Sequence, residues 1–143
     1  NITLTSLGHS NKDTEFIKKI FKQLDTIIDL DFTEINTNNG SDIDIYSISY
    51  SSTFAKDTIG EAKAKSNSYG HWWDLYWKDL GGKIETNNID KYVIVHEIGH
   101  TLGLSHPNED PYDKSWDTDD TMMSYNHSQN GLRSWFTKND INY

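Results

Sequence analysis

Cysteine is absent from this chain of 143 residues. Its absence excludes disulfides, a thiolate switch and a cysteine nucleophile within the sequence, and leaves the compartment open. Basic residues are scarce: 13 Lys and Arg stand against 22 Asp and Glu, for a formal net charge of −9. Nucleic acids and anionic membranes both demand a basic face, so neither is expected as a partner. No apolar run resembles a membrane span or a secretory signal, and no internal repeat or low-complexity tract interrupts the chain. The length suits one domain with a single core. With 34% hydrophobic residues, that core must lean on aromatic side chains, which make up 13% of the sequence.

What is present is concentrated between His96 and His106, which read HEIGHTLGLSH. This fits H-E-x-x-H-x-x-G-x-x-H, a spacing that builds a zinc site with a general base beside it. On a helix, His96 and His100 lie one turn apart on the same face, so two imidazoles can reach one ion. Glu97 lies about 100° round the helix from His96, placed to polarise a metal-bound water but not to ligate. Gly103 permits the backbone conformation that ends the helix and turns the chain back, bringing His106 round as a third ligand. Three protein ligands plus one water is the catalytic form of zinc, whereas a structural site is closed by four. Some twenty residues on, Asp120 to Tyr125 reads DTMMSY. A tight turn carrying a methionine accompanies the longer histidine motif, and an unbranched thioether suits an irregular apolar gap beneath the ligands.

With HEIGHTLGLSHP running through Pro107 and MSY at Met123 to Tyr125, the chain resembles a metzincin metallopeptidase, closest to the serralysin family. The resemblance implies zinc ligation by His96, His100 and His106, with Glu97 as general base. It implies Met123 as the turn methionine and Tyr125 as a switchable fifth ligand that swings away to stabilise the transition state. Matrixins share the histidine motif but usually carry proline two residues after that methionine, so Tyr125 favours serralysin. Similarity extends upstream through GHWWDLYWKD and downstream to FTKNDINY, which looks like the start of a closing helix. The implied protein is a secreted, monomeric zinc endopeptidase acting on proteins or peptides. A matrixin-type protease and a non-catalytic zinc-binding module are the alternatives. Two departures stand out: the loop from Asn108 to Thr121 is shorter than serralysins usually have, and no glycine-rich nonapeptide repeats occur. Asp113, Asp117, Asp119 and Asp120 could bind calcium, but a solvated acidic loop is the preferred reading.

The implied fold is α+β and metzincin-like. A twisted mixed sheet and two main helices stand above a zinc cleft, and a loop-rich C-terminal subdomain carries the Met-turn and a terminal helix. Residues 1–143 then form a single catalytic domain, with an upper subdomain to about 103 and a lower one from about 104. The residues supply matching elements. Ile2 to Leu7 suits a short strand, and Ser10 with Asp13 a capping box. Phe16, Ile20, Leu24 and Ile27 or Ile28 mark an amphipathic helix from Asp13 to about Asp29. Strands are expected at Leu30 to Ile35, Asp42 to Ser49, Glu61 to Lys65 and His71 to Asp79. By resemblance, Glu61 to Lys65 would be the edge strand that pairs with extended substrate; a plain edge strand explains it equally well. The tryptophans of HWWDLYWKD are read as core and sheet packing, and Gly81-Gly82 as the following turn. Asp90 or Asn88 is the expected cap of the zinc helix, whose Ile94, Val95, Ile98 and Leu102 should fall opposite the histidines. His9, His71 and His127 are read as structural or surface residues, with His127 near enough to the Met-turn to approach the cleft.

Overall fold

The computed structural model describes residues 2–81 and 87–143. A four-stranded sheet is formed by β1 (Leu4–Ser6), β2 (Ile43–Ser51), β3 (Gly60–Asn67) and β4 (Gly70–Lys78), in the order β1-β2-β4-β3. β4 pairs in parallel with β2 and antiparallel with β3, while β1 runs antiparallel to β2, so the sheet is mixed. Helix α1 (Asn11–Leu24) and helix α2 (Asn88–Thr101) carry much of the core, and a short α3 (Lys138–Ile141) follows a long irregular stretch. This is the α+β, metzincin-like architecture that the sequence implied.

The register explains which side chains reach the core. Leu75 and Trp77 of β4 are fully buried and join Ile20 and Leu24 of α1 with Val93, Ile94 and Ile98 of α2. Alternation sends Trp72, Asp74 and Tyr76 to the opposite face. There the Trp72 indole and the Tyr76 hydroxyl both donate to the Asp74 carboxylate, at 3.1 and 3.0 Å. The tryptophan-rich strand is thus a packing element, with Trp77 on the core face and Trp72 on the other. β3 is the outermost strand on its side. Its small residues let α2 approach closely: a Cβ on Gly60 would lie 2.5 Å from Glu97 Oε1 and 2.6 Å from Val93 Cγ1.

Several expectations differ from the structure in detail. No strand forms at Leu30 to Ile35; the chain there is irregular, with Leu30 and Ile35 exposed. Phe32 is fastened to α1 instead, its ring 5.0 Å from Phe21 and its amide donating to Asp25 Oδ1 at 3.1 Å. Helix α1 ends at Leu24 rather than near Asp29, because Thr26 turns its hydroxyl onto the Gln23 carbonyl (2.7 Å) and diverts it from continuing the helix. Ile28 still packs on the core although Ile27 is exposed. Strand β1 is shorter than expected and exposed throughout.

The cap of α2 is Asn87, one residue before Asn88 and three before Asp90, the two candidates. Asp90 is its reciprocal partner: Asn87 Oδ1 accepts from the Asp90 amide at 2.8 Å. The fully buried Asp90 carboxylate also accepts from the Leu80 and Gly81 amides, both at 3.1 Å, which ties the end of β4 to the start of α2. Gly82, the second residue of the expected turn, lies outside the described residues. The side of α2 that carries His96 is buried as well as its apolar side. Every residue from Tyr92 to Gly99 is buried, because the sheet covers one side and the segment around Met122 and Met123 covers the other.

Candidate metal centre

The end of α2 is built by a glycine. Gly103 adopts φ +98°, which side chains resist, and closes a paired C-terminal motif. The Leu104 amide reaches back to the Gly99 carbonyl at 3.0 Å, and the Gly103 amide to that of His100 at 3.1 Å. The reversed chain then presents the Leu104 carbonyl to His100 Nδ1 at 2.8 Å. His96 Nδ1 meets the Met122 carbonyl, also at 2.8 Å. A carbonyl can only accept, so each ring carries its hydrogen on Nδ1 and leaves the Nε2 lone pair free for a metal.

The three histidines converge. One ring nitrogen from each of His96, His100 and His106 lies within 4.8 Å of the others, and among the described residues no other such group of metal-ligating side chains occurs. Nε2 of both His96 and His106 is buried and has no hydrogen-bond partner among the described residues. Buried polar atoms rarely go unsatisfied, and an ion shared by three imidazoles would satisfy these. Burial, reinforced by the neighbouring His100, lowers the His96 pKa to about 3. Burial also lowers those of His100 and His106. All three rings are therefore neutral at pH 7, the form that ligates.

Glu97 lies against the start of β3. Burial raises its carboxyl pKa to about 8, against the opposing effect of a hydrogen bond from the Ala62 backbone. That value belongs to the metal-free chain; a dication beside the carboxylate would favour the ionised form. The Tyr125 ring stands 5.4 Å from that of His96 and 5.1 Å from that of His106. Burial, followed by the charge of Glu97, raises its hydroxyl pKa. Met123 is buried beneath the site, its sulfur so near α2 that a Cβ on Gly99 would come within 2.9 Å of it.

Three further contributors were not singled out from the sequence. Asp140 is the most important. One of its oxygens accepts from the Met122 amide (2.9 Å) and the Thr137 amide (2.7 Å), and the other from the Thr121 hydroxyl. It thereby caps α3 and holds Met122, the residue whose carbonyl orients His96. The spacing Thr137-x-x-Asp140 was a visible capping signal; its link to the methionine turn was not. Tyr92 secures the far side of that turn by donating to the Ser124 carbonyl at 2.6 Å. Gly99 is the third, sitting inside the motif as an unremarked spacer.

The other sequence candidates lie apart from the metal group. Asp113 accepts from Asn108 and from the Ser115 amide, Asp117 and Asp120 accept from loop amides, and Asp119 pairs with Arg133 at 3.0 Å. The four carboxylates thus hold their own loop. His9 meets the Ile45 carbonyl, His71 is exposed, and the exposed His127 lies beside Tyr92. A cavity of about 330 Å³ adjoins His106 and Met123, with Trp116, Asp140 and Tyr143 in its wall. Neither Glu97 nor Tyr125 lines it.

Comparison with known proteins agrees with this geometry. A peptidase family model described as matrixin matches residues 2–131. Serralysin from Proteus mirabilis is 30% identical over 109 residues, which cover 76% of this chain and 19% of that protein. The chain thus spans about a fifth of the curated relative it matches. No solved structure matches. The chain belongs to the matrixin family and has the form of a metzincin-like catalytic domain. The family is zinc-dependent, in keeping with the three-histidine group.

Proposed function

We propose that this chain is a zinc-dependent endopeptidase acting on proteins or peptides, and that its catalytic centre is the group of buried histidine nitrogens unpartnered among the described residues, with Glu97 following His96 on the same helix. That observation carries the reading, since a purely structural site has no need of a base and prefers a fourth protein ligand. His96, His100 and His106 would hold the zinc. Once bound, it supplies Lewis acidity and brings the pKa of a water to about 7. Glu97 accepts the proton as water attacks the scissile carbonyl and passes it to the leaving amine. The Tyr125 hydroxyl, a switchable ligand in the resting site, donates to the oxyanion as it forms. Substrate lies extended along β3, the outermost strand beside Glu97.

Within the family we infer a serralysin-like, secreted and monomeric enzyme. Tyr125, two residues after Met123, and the serralysin relative support that placement. The domain would divide near Gly103, where the chain leaves the zinc helix. Zinc is the only metal proposed. The deciding experiment is digestion of a proteome-derived peptide library by the zinc-loaded chain, read by mass spectrometry beside Glu97→Ala. The substitution should keep zinc and lose roughly two to four orders of magnitude in rate. Equal cutting by both proteins would remove Glu97 from the mechanism. A folded, zinc-bound wild type that cuts nothing would favour the binding module.

A further inference from the structure

Tyr112 has no place in the site as described so far, yet its ring reaches the site's most exposed member. It is 64% exposed and meets the Tyr125 ring edge-on, with centroids 5.3 Å apart and planes at 85°. Tyr125 therefore has the rings of His96 and His106 as neighbours and Tyr112 as a third, more exposed one. The loop beneath Tyr112 is firmly held. Its amide donates to Asp110 Oδ1 at 2.9 Å, and the Asp113 amide to the Asp110 carbonyl at 3.1 Å. The Pro111 carbonyl accepts from the Tyr125 amide at 2.8 Å, and the Asp113 carbonyl from Asn126 Nδ2 at 2.8 Å. The backbones of Tyr112 and Tyr125 are thus fixed relative to one another, so what remains free is the packing of the two rings.

We propose that Tyr112 is a positioning residue, whose ring holds the Tyr125 side chain over His96 and His106 and so sets how readily the Tyr125 hydroxyl leaves and regains its station. The proposal rests on the role assigned above to Tyr125. A ring that moves during the reaction needs a contact that is attractive but weak, and an edge-to-face pair on a solvent-exposed partner fits that need.

The test has two arms. In the metal-free full chain labelled with 3-fluorotyrosine, the Tyr125 fluorine line is assigned by its disappearance in Tyr125→Phe. Tyr112→Ala should shift and broaden that line, and Tyr112→Phe, which keeps the ring, should restore it. An unmoved line in Tyr112→Ala would overturn the proposal. In the zinc-loaded chain, Tyr112→Ala should lower kcat roughly two- to tenfold, the range an aromatic pair commands, with KM and zinc content unchanged. The same substitution in a Tyr125→Phe background should cost nothing further. A loss that persists there, or that appears in KM alone, would show Tyr112 touching substrate instead and would also overturn the proposal. A wild type without cleavage would remove the peptidase reading alone, and the fluorine line would still decide whether Tyr112 positions Tyr125.

Discussion

Single atoms decide much of this site. His96 and His106 each bury an Nε2 unpartnered among the described residues, while Nδ1 of His96 and His100 is satisfied by a backbone carbonyl, so the tautomers are fixed before any metal arrives. At Gly99 the decisive atom is a missing one. An alanine there would put its Cβ 2.9 Å from the Met123 sulfur and 3.2 Å from Phe136, both buried. Gly99→Ala should therefore destabilise the fold by roughly 1–3 kcal/mol, the usual effect of overpacking, in urea unfolding. A neutral result would mean that Met123 can move aside. Tyr125→Phe removes one oxygen and keeps the ring beside His96 and His106. Turnover should fall by roughly two to three orders of magnitude, as for loss of an oxyanion donor, with zinc content unchanged. An unaltered rate would end the role assigned to that hydroxyl.

Among the elements, the shortest helix has the greatest reach. α3 has only four residues, but its capping carboxylate grips the Met122 amide, and Met122 in turn orients His96. Asp140→Ala removes the acceptor shared by the Met122 and Thr137 amides and the one that takes the Thr121 hydroxyl. The expected cost is about 1–3 kcal/mol of stability, together with weaker zinc binding, since loosening Met122 loosens the carbonyl that orients His96. Calorimetric titration would separate the two: lost stability with unchanged affinity would make Asp140 a cap and nothing more. The elements also show where local signals prevailed. Ser10 and Asp13 form the expected capping box, and Gly103 ends α2 where the motif required. Leu30 to Ile35 had an apolar pattern without a partner strand, and its Phe32 docked on α1.

For the molecule as a whole, acid and metal should act together. The pKa values of all three site histidines are lowered from 6.5, that of His96 to about 3. The unfolded chain thus binds more protons than the folded one, and the histidine contribution to stability is lost as pH falls through that window. Glu97 runs the other way. Its pKa is raised from 4.5 to about 8, so its contribution is present at low pH and lost as pH rises through 8. Thermal unfolding of the metal-free chain should therefore rise on going from pH 9 to pH 7 and fall below about pH 6. Saturating zinc should raise the midpoint, flatten the alkaline limb and steepen the acid one, because protons compete with metal for the same nitrogens. An acid limb identical with and without zinc would argue against ligation by these rings.

The amino-acid sequence by itself marked His96, His100 and His106 as candidate ligands, Glu97 as candidate base, Gly103 as the end of the zinc helix and Ser10 with Asp13 as a cap. Those features depend on residue spacing along one helix, on a glycine's freedom and on capping pairs three residues apart, all of which are local. Only the tertiary structure decided that Met122 and Leu104 supply the carbonyls that orient the ligands, and that Gly60 and Gly99 make room for Glu97 and Met123. It also decided that Asp140 and Tyr92 clamp the methionine turn and that Tyr112 meets Tyr125. These contacts join segments far apart in the chain or depend on how loops turn, and no periodicity encodes them. They form because the sheet, α2 and the methionine turn are packed closely enough to meet.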